Sequence, residues 1–192
     1  MLRSSPPVAN ALEADVATDP IIAWRAWALT GRRDGTNLML RPVAGRTRPW
    51  RPREIAEAGC KGARFHRSPD PECTCGLHGT AELELLRRAR CPAVIGRVAL
   101  WGRVIEHEHG FRAEFAYPQR MTLICQFCFW LWGVRRTRAD HVAWFAKDHF
   151  IPMCTWHLGI ARRHGVRTRT VLDAGEVGQR LLDTYAVDRL TI

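Results

Sequence analysis

The sequence contains very little lysine and no long apolar run. Only Lys61 and Lys147 are lysines, so arginine carries nearly all of the positive charge. The longest apolar run, Phe127–Val134, is too short to cross a bilayer, and Met1–Pro20 lacks the apolar stretch that a secretion signal needs. These absences disfavour secreted and membrane-spanning classes, and we expect a cytoplasmic protein with no membrane partner.

Several sequence motifs of common enzymes are also missing. The chain has no glycine-rich phosphate loop, no G-x-S-x-G nucleophile turn and no internal repeat. Paired carboxylates occur only as Glu82/Glu84 and Glu106/Glu108. The second pair alternates with His107 and His109, a pattern typical of an exposed turn and, as an alternative, of an acid–base or metal site. Nothing in these patterns requires an enzyme.

Positive charge is abundant and is concentrated in two blocks. The 192 residues carry a net charge of +10, with 46% hydrophobic and 25% charged residues, which is ordinary for a globular protein. Residues 24–53 and residues 120–170 each have a net charge of +7, whereas residues 54–119 are neutral. Two separate basic blocks favour a surface that meets phosphates. The alternative is a solvated surface whose arginine content reflects the codon usage of a GC-rich bacterial or phage genome.

The pattern of elements predicts an α+β fold in two parts. Residues 1–20 are expected to be a disordered tail. Residues 21–118 should form an antiparallel, β-rich part with one or two short helices. Residues 119–192 should form a mostly helical part that is stabilised by zinc, so we place the boundary near Pro118.

Individual elements follow from periodicity and turn residues. In the first part we predict strands over Ile21–Leu29 and Leu38–Leu40, and a hairpin of Ala93–Ile105 with Phe111–Tyr117. Further predictions are a helical turn at Glu54–Ala58, helices at Thr80–Arg90, Thr137–Lys147 and His157–His164, the last ended by Gly165, a strand at Thr168–Leu172, and a final helix at Glu176–Leu190 capped by Asp173.

The strongest motif pairs cysteines with a histidine. Cys125 and Cys128 form C-x2-C, and Cys154 and His157 form C-x2-H after a gap of 25 residues. Zinc prefers four tetrahedral nitrogen and sulfur ligands, and such pairs bind one ion from a tight turn or a first helical turn. The alternative is a set of buried thiols that pack as small hydrophobic groups.

Residues 123–165 resemble the treble-clef group of zinc folds, in which a knuckle pair and a pair at a helix start share one ion. The segment Asp148-His149-Phe150-Ile151-Pro152 resembles the D-H-x-x-P element of HNH nucleases. That resemblance implies that His149 is a general base and that Asp148 helps to hold a catalytic metal. The family's later histidine would then have to be His157, which the zinc assignment already uses.

A second group of candidate metal ligands lies in the first half of the chain. Cys60, His66, Cys73 and Cys75 supply four ligands of the right type, and His78 is a substitute for either of the first two. The surrounding loop is rich in proline and glycine and poor in apolar residues, so a metal would supply the missing stability. The alternatives are a Cys73–Cys75 redox pair and inert thiols. Cys91 has no partner and is assigned to packing.

Together these features predict a zinc-stabilised, arginine-rich protein that binds DNA or RNA or assists another binder. The expected cofactor is Zn²⁺, one ion in the later group and a second in the earlier one. The eight tryptophans are interpreted as core residues, and base stacking is the alternative. The alternative functions are an HNH-like nuclease and a zinc-folded adaptor with a protein partner. The arginines expected to contact phosphates are Arg46, Arg48, Arg51, Arg53, Arg135, Arg136, Arg138, Arg162, Arg163, Arg167 and Arg169.

Overall fold

The computed structural model describes residues 16–43, 48–60, 62, 66–133, 137–166, 168 and 170–192. Within these ranges the fold is α+β and rich in strands. The strands are β1 (Val16–Thr30), β2 (Met39–Pro42), β3 (Ala56–Glu57), β4 (Leu77–Thr80), β5 (Val94–His107), β6 (Gly110–Leu123), β7 (His141–Ala146), β8 (His149–Met153), β9 (Val171–Asp173) and β10 (Asp188–Arg189). The helices are α1 (Gln126–Trp132), α2 (Thr155–Arg163), α3 (Ala174–Tyr185) and a 3₁₀ helix (Leu83–Arg88).

Four strands close on one another in a cycle of antiparallel pairs. β5 pairs with β1 on one side and with β6 on the other, and β4 pairs with β6. β4 also meets β1 where Trp24 faces Thr80, which closes the cycle. Closure needs strand positions with little side-chain volume, and the buried Gly79 packs against Ala23 and Leu100. The interior is therefore a compact apolar core.

The sheet continues into the C-terminal half of the chain. β8 pairs with the end of β1 at Leu29 and Thr30, β7 pairs with β8, and β9 pairs with β7. β10 lies parallel to β6. Pro118, where we placed the boundary, is buried inside β6. Strands from both predicted parts thus belong to one sheet.

The last helix is hydrogen-bonded to residues of the first third of the chain. Asp173 caps α3 as predicted, because its carboxylate accepts a hydrogen bond from the Glu176 backbone at 2.9 Å. At the other end of α3 the buried Tyr185 hydroxyl accepts from the Leu40 backbone at 3.0 Å and donates to the Trp50 carbonyl at 2.7 Å. Burial raises the pKa of Tyr185 to about 12, so this hydroxyl keeps its proton at physiological pH.

Several predicted elements agree with the structure. The predicted strand Ile21–Leu29 lies within β1, and the predicted hairpin is β5–β6, although β6 continues past Pro118 to Leu123. The short helix before Gly165 is α2, and Gly165 follows its end with a φ of 77°. No helix in the described ranges is long and apolar enough to cross a membrane.

The mostly helical C-terminal part is not supported. The segment predicted as the helix Thr137–Lys147 instead contains strand β7, whose backbone pairs with β8 on one side and with β9 on the other. The predicted helical turn at Glu54–Ala58 contains β3, which pairs with β6. A short apolar run fits either period, and in both cases the neighbouring strand decided the outcome.

Three further boundaries also differ from the prediction. The final helix, predicted to end at Leu190, ends at Tyr185, and Asp188–Arg189 form β10. The helix expected at Thr80–Arg90 is a 3₁₀ helix over Leu83–Arg88. Residues 1–15 of the predicted tail lie outside the described residues, while residues 16–20 belong to β1.

The close contact between β5 and β6 predicts a large difference between two glycine variants. A Cβ at Gly96 would overlap the carbonyl oxygen of Arg120, whereas a Cβ at Gly159 in α2 meets nothing within 4 Å. We expect Gly96→Ala to lower the free energy of unfolding by about 1–3 kcal/mol. Gly159→Ala should raise it by about 0.5–1 kcal/mol, because alanine is the better helix former. Denaturant unfolding of the metal-loaded protein measures both values, and equal stabilities would contradict this packing.

Candidate metal centres

The first candidate centre, here called the C-terminal cluster, consists of Cys125, Cys128, Cys154 and His157. The ligand atoms of all four lie within 4.8 Å of one another. The sulfurs of Cys128 and Cys154 are 3.7 Å apart, and His157 Nδ1 is 3.2–3.4 Å from the three sulfurs. A tetrahedral zinc ion with Zn–S bonds of about 2.3 Å places its ligand atoms about 3.5–3.8 Å apart. The cluster therefore has the size of a tetrahedral site.

Each ligand pair of this cluster sits at the start of a helix. Cys125 directly precedes α1 and Cys154 directly precedes α2, and neither side chain makes a capping hydrogen bond. The partner ligand in each pair follows three residues later, which places it on the same face of the first turn. The β7–β8 hairpin leads straight into α2, so the hairpin positions the second pair.

Asp140 supports this cluster, and the sequence analysis did not identify it. Its carboxylate accepts hydrogen bonds from the Thr155 backbone at 2.9 Å and from the Thr155 hydroxyl at 3.1 Å. These hydrogen bonds hold the pKa of the Asp140 carboxyl below its usual value, with the backbone bond as the largest cause. Asp140 thus caps α2 from the start of β7. It was missed because residues 137–147 were predicted as a helix, in which Asp140 would not reach Thr155.

Aromatic rings fix the orientation of the His157 imidazole. Phe127 stacks on it with ring centroids 5.2 Å apart, and Trp156 meets it edge-to-face at 4.6 Å. Trp132 lies at 6.2 Å. A ligand imidazole held in this way keeps Nδ1 directed at the sulfurs without further rearrangement.

The second candidate centre, the N-terminal cluster, consists of Cys60, His66, Cys73 and Cys75. Its four ligand atoms also lie within 4.8 Å of one another. The sulfurs of Cys60 and Cys73 are 3.7 Å apart, and His66 Nε2 is 3.3 Å from the sulfur of Cys75. His78, the predicted substitute ligand, is not part of the group, because its Nε2 faces the Thr74 carbonyl at 3.2 Å.

Arg112 holds the loop that carries this cluster, and the sequence analysis missed it as well. It is buried in β6, and its guanidinium donates to the backbone carbonyls of Asp70, Cys73 and Cys75. Its Nε also bonds His107 at 2.5 Å. Alternation of charge in a strand, Arg112 followed by Glu114, was the available signal. This alternation was not informative by itself, because charged residues also occupy alternate positions on the exposed face of a strand.

Glu114 lies two residues further along β6 and holds the same loop through a second contact. This buried carboxylate accepts two hydrogen bonds from Arg67, at 2.7 and 3.0 Å, and one from the Arg103 backbone at 3.2 Å. Burial by itself raises the pKa of the Glu114 carboxyl. These hydrogen bonds lower the pKa by a larger amount, so it lies below its usual value. Two side chains of β6, Arg112 and Glu114, therefore hold the loop that carries the cluster.

The thiols of the two clusters differ in acidity. Burial raises the pKa of Cys128 to about 12, and the neighbouring thiols Cys125 and Cys154 add to this shift. Burial is also the largest reason that the pKa of Cys125 is raised. Burial raises the pKa of Cys75 too, but the hydrogen bonds that its thiol receives, including one from His66, outweigh burial and lower the pKa to about 7. At neutral pH the Cys75 thiol is thus closer to the ionised state in which thiols bind metal, whereas the neighbouring Cys60 and Cys75 thiols and burial raise the pKa of Cys73.

The two histidine sites considered as alternatives do not join either metal group. His149 Nδ1 contacts the Asp148 carboxylate at 2.8 Å, and its Nε2 faces the Arg41 guanidinium at 2.6 Å. Asp148 also accepts from the Thr30 hydroxyl at 2.7 Å. Neither residue belongs to a metal-ligand group among the described residues. His109 is exposed in the β5–β6 turn, as is His107.

The predicted phosphate-binding arginines divide into two sets. Arg46, Arg135, Arg136, Arg167 and Arg169 lie outside the described residues. The remaining six are all exposed: Arg48, Arg51, Arg53, Arg138, Arg162 and Arg163. Arg51 pairs with Glu54 at 3.4 Å, and Arg53 donates to the Asp183 carbonyl at 3.4 Å. Arg138 lies 3.7 Å from the Asp140 carboxylate. Arg48, Arg162 and Arg163 make no ion pair with a described residue.

The tryptophans are not all core residues. Trp27 and Trp50 are buried as predicted. In contrast, Trp130, Trp132 and Trp156 are 37%, 46% and 57% exposed, respectively, and they surround the C-terminal cluster. Cys91, assigned to packing, is exposed as well. The core interpretation is therefore wrong for these three tryptophans and for Cys91.

Removing the Arg112 guanidinium should weaken the N-terminal cluster selectively. We expect Arg112→Met to lower metal affinity there by about 10- to 100-fold, the usual effect of losing a partner outside the ligand shell. The C-terminal cluster serves as an internal standard, and Arg120→Met, an exposed change in the same strand, is the control. Competition with a chromogenic chelator measures both affinities. Equal weakening of both clusters would show that Arg112 acts on the whole fold instead.

The difference in thiol acidity should appear as a difference in proton release. At pH 8 the Cys75 thiol, with its pKa near 7, is mostly ionised, whereas Cys128 is still protonated. Zinc binding to the N-terminal cluster should therefore release fewer protons than binding to the C-terminal cluster. Calorimetry in buffers of different ionisation enthalpy, on Cys125→Ser/Cys128→Ser and Cys73→Ser/Cys75→Ser chains, measures both numbers. Identical proton release would contradict the assigned acidities.

Comparison with known proteins adds no relative to this geometry. No family model matches the chain, and no curated protein or solved structure shows significant similarity to it. Neither the treble-clef resemblance nor the HNH element is therefore supported by a relative. What the structure does establish is two Cys/His clusters of metal-binding size on one α+β fold.

Proposed function

We propose that the protein is a zinc-stabilised nucleic-acid-binding protein whose C-terminal cluster presents aromatic rings and arginines to a single strand. The supporting observation is the tryptophan patch beside that cluster, in which the exposed rings of Trp132 and Trp156 have centroids 6.3 Å apart. Trp130, also exposed, contacts Phe127, which stacks on His157. Exposed rings of this size are uncommon on a protein surface and mark an interaction site.

The donor sets favour zinc with a structural role. Each cluster offers three thiols and one imidazole at tetrahedral spacing, which is the preference of Zn²⁺. Four protein ligands leave no open position for a water or a substrate, so the ions would stabilise local structure. The C-terminal ion would fix α1 against the start of α2. The tryptophans on these two helices would then be held at a constant separation.

One face of α2 combines the two groups that a single strand needs. Trp156 and Arg163 are seven residues apart, so they lie on the same face, about two turns from each other. Between them lies Gly159, where the surface is open. A base stacked on Trp156 would leave its backbone phosphate near Arg163. Such stacking contributes about 1–3 kcal/mol per base and requires no particular sequence.

Charge around the patch favours a nucleic acid over a protein partner. Residues 120–170 carry a net charge of +7, and Arg138, Arg162 and Arg163 are exposed there. Arg87, also exposed, donates to the Trp130 carbonyl and brings another cation to the edge of the patch. Tryptophan and arginine are also enriched at protein–protein interfaces. The choice of a nucleic acid therefore rests on the net charge of +7, which favours a partner with many phosphates.

The nuclease alternative has no comparable observation in its favour. Both ring nitrogens of His149 are engaged, one by Asp148 and the other by the Arg41 guanidinium. A general base needs a free imidazole nitrogen near water and a metal. We therefore propose binding without cleavage.

The test is the affinity for labelled single strands of DNA and RNA, measured by fluorescence anisotropy at several salt concentrations. We expect Trp156→Ala to weaken binding about 5- to 100-fold through lost stacking. Arg163→Gln should reduce the slope of log affinity against log salt by about 0.7.

The control is Phe145→Ala, which removes another exposed aromatic ring from β7 at the end of the hairpin away from Cys154. This variant should bind like the unmodified protein. The proposal fails if the unmodified protein shows no affinity at low salt, or if Trp156→Ala and Phe145→Ala behave alike. In the first case a protein partner becomes the better explanation of the patch.

A further inference from the structure

A large cavity lies among β1, β3, β4 and the 3₁₀ helix. Its volume is about 780 Å³, within the range of small-molecule sites. Its walls include Trp24, Trp50, Leu77 and Leu86, and the exposed Ile55 also lines it. Cys60 of the N-terminal cluster contributes to the lining. Most of this surface is apolar.

The cavity contains a cation with too few partners. Arg25 lines it, and its guanidinium donates one hydrogen bond, to the His78 carbonyl. Arg25 Nε is buried and has no hydrogen-bond acceptor among the residues that the structure describes. No carboxylate of the described residues pairs with this arginine, and burial lowers its pKa to about 10. A guanidinium has five N–H donors, and leaving a buried one unmatched is costly.

The Arg25 side chain is nevertheless held in a defined position. Its guanidinium carbon lies 4.8 Å from the centre of the Trp50 ring. Trp50 is fixed in turn by an edge-to-face contact with Trp27 at 5.5 Å and by the hydrogen bond from Tyr185 to its carbonyl. The cation is thus preorganised beside an aromatic wall. Preorganisation of an unpaired charge is typical of a binding site and is hard to explain by stability alone.

The rim of the cavity adds no net charge. Arg48 and Arg51 lie there with Glu54 and Glu57. Arg51 and Glu54 pair with each other, whereas Arg48 and Glu57 have no ion pair with a described residue. The positive charge of the lining therefore comes from Arg25, and a negatively charged group that enters the cavity would meet this cation.

We propose that this cavity binds a small anionic ligand with a flat aromatic body. Its carboxylate or phosphate group would accept hydrogen bonds from Arg25, whose planar fork suits either group. Its aromatic body would lie against Trp24 and Trp50. This site is separate from the tryptophan patch, so its ligand would bind independently of a nucleic-acid strand.

The test uses two families of probes on the metal-loaded protein. One family comprises the four nucleoside 5′-monophosphates with their nucleosides, and the other comprises indole-3-carboxylate with its amide. We expect the charged member of at least one family to bind about 10- to 100-fold more tightly than its uncharged counterpart in calorimetry. The family that binds identifies whether the anion is a phosphate or a carboxylate.

Two variants locate the site. Arg25→Gln should abolish the preference for the charged probe. Because Arg25→Gln alters a buried position, Ile55→Glu provides a second variant. It places a carboxylate at an exposed position of the lining. This change should weaken anion binding without affecting folding. Arg33→Gln is the matched control, since Arg33 also lies over a tryptophan, Trp144, at 5.0 Å but outside the cavity.

A spectroscopic readout follows Arg25 directly. The arginine Nε–H signals in a ¹H–¹⁵N spectrum should include one that shifts on addition of the bound probe and disappears in Arg25→Gln. The proposal is overturned if no charged probe binds at millimolar concentration, or if charged and uncharged probes bind equally. It is also overturned if Ile55→Glu and Arg33→Gln bind alike. Trp156→Ala should leave probe binding unchanged, so the failure of one proposal does not imply failure of the other.

Discussion

The pairing of β5 with β6 is the interaction on which the rest of the structure depends. This long hairpin provides the edges to which β1, β3, β4 and β10 attach. It also carries inward the two charged side chains that organise the neighbouring loop, Arg112 and Glu114. Because both project from alternate positions of one strand, the backbone register of the hairpin sets where the N-terminal cluster forms. A one-residue slip would move both charges to the other face of the strand.

Metal and sheet support each other in different ways at the two clusters. The N-terminal cluster lies in a loop whose described residues are held by Arg112 and by the Arg67–Glu114 pair. The C-terminal cluster instead lies at the start of two helices and is supported by the β7–β8 hairpin and the cap from Asp140. A metal ion bound at either cluster would complete a structure that the sheet has already positioned in part, which would reduce the entropy lost on binding.

The two proposed binding surfaces use arginine and tryptophan in opposite environments. On α2, Trp156 and Arg163 are exposed and spaced along a helix face, an arrangement that suits a flexible polymer with repeated phosphates. In the cavity, Arg25 and Trp50 are in direct contact and largely shielded from water, an arrangement that suits a small ligand. The same residue types thus favour different partners, because burial strengthens the attraction of a single charge while exposure leaves it screened by salt.

The sequence by itself determined which cysteines and histidines form the two clusters, the hairpin, the Asp173 cap and the strand-rich first half, since spacing, alternation and capping are local properties. It did not determine that residues 141–146 form a strand, because a short apolar run is compatible with both the helical and the strand period. The pairing of β7 with β8 and β9 decided between them. The roles of Arg112 and Asp140 were equally inaccessible, since each acts on residues distant in sequence. Only the tertiary structure decided which cations are buried and which tryptophans are exposed, because burial depends on what packs against a residue and not on its neighbours in the chain.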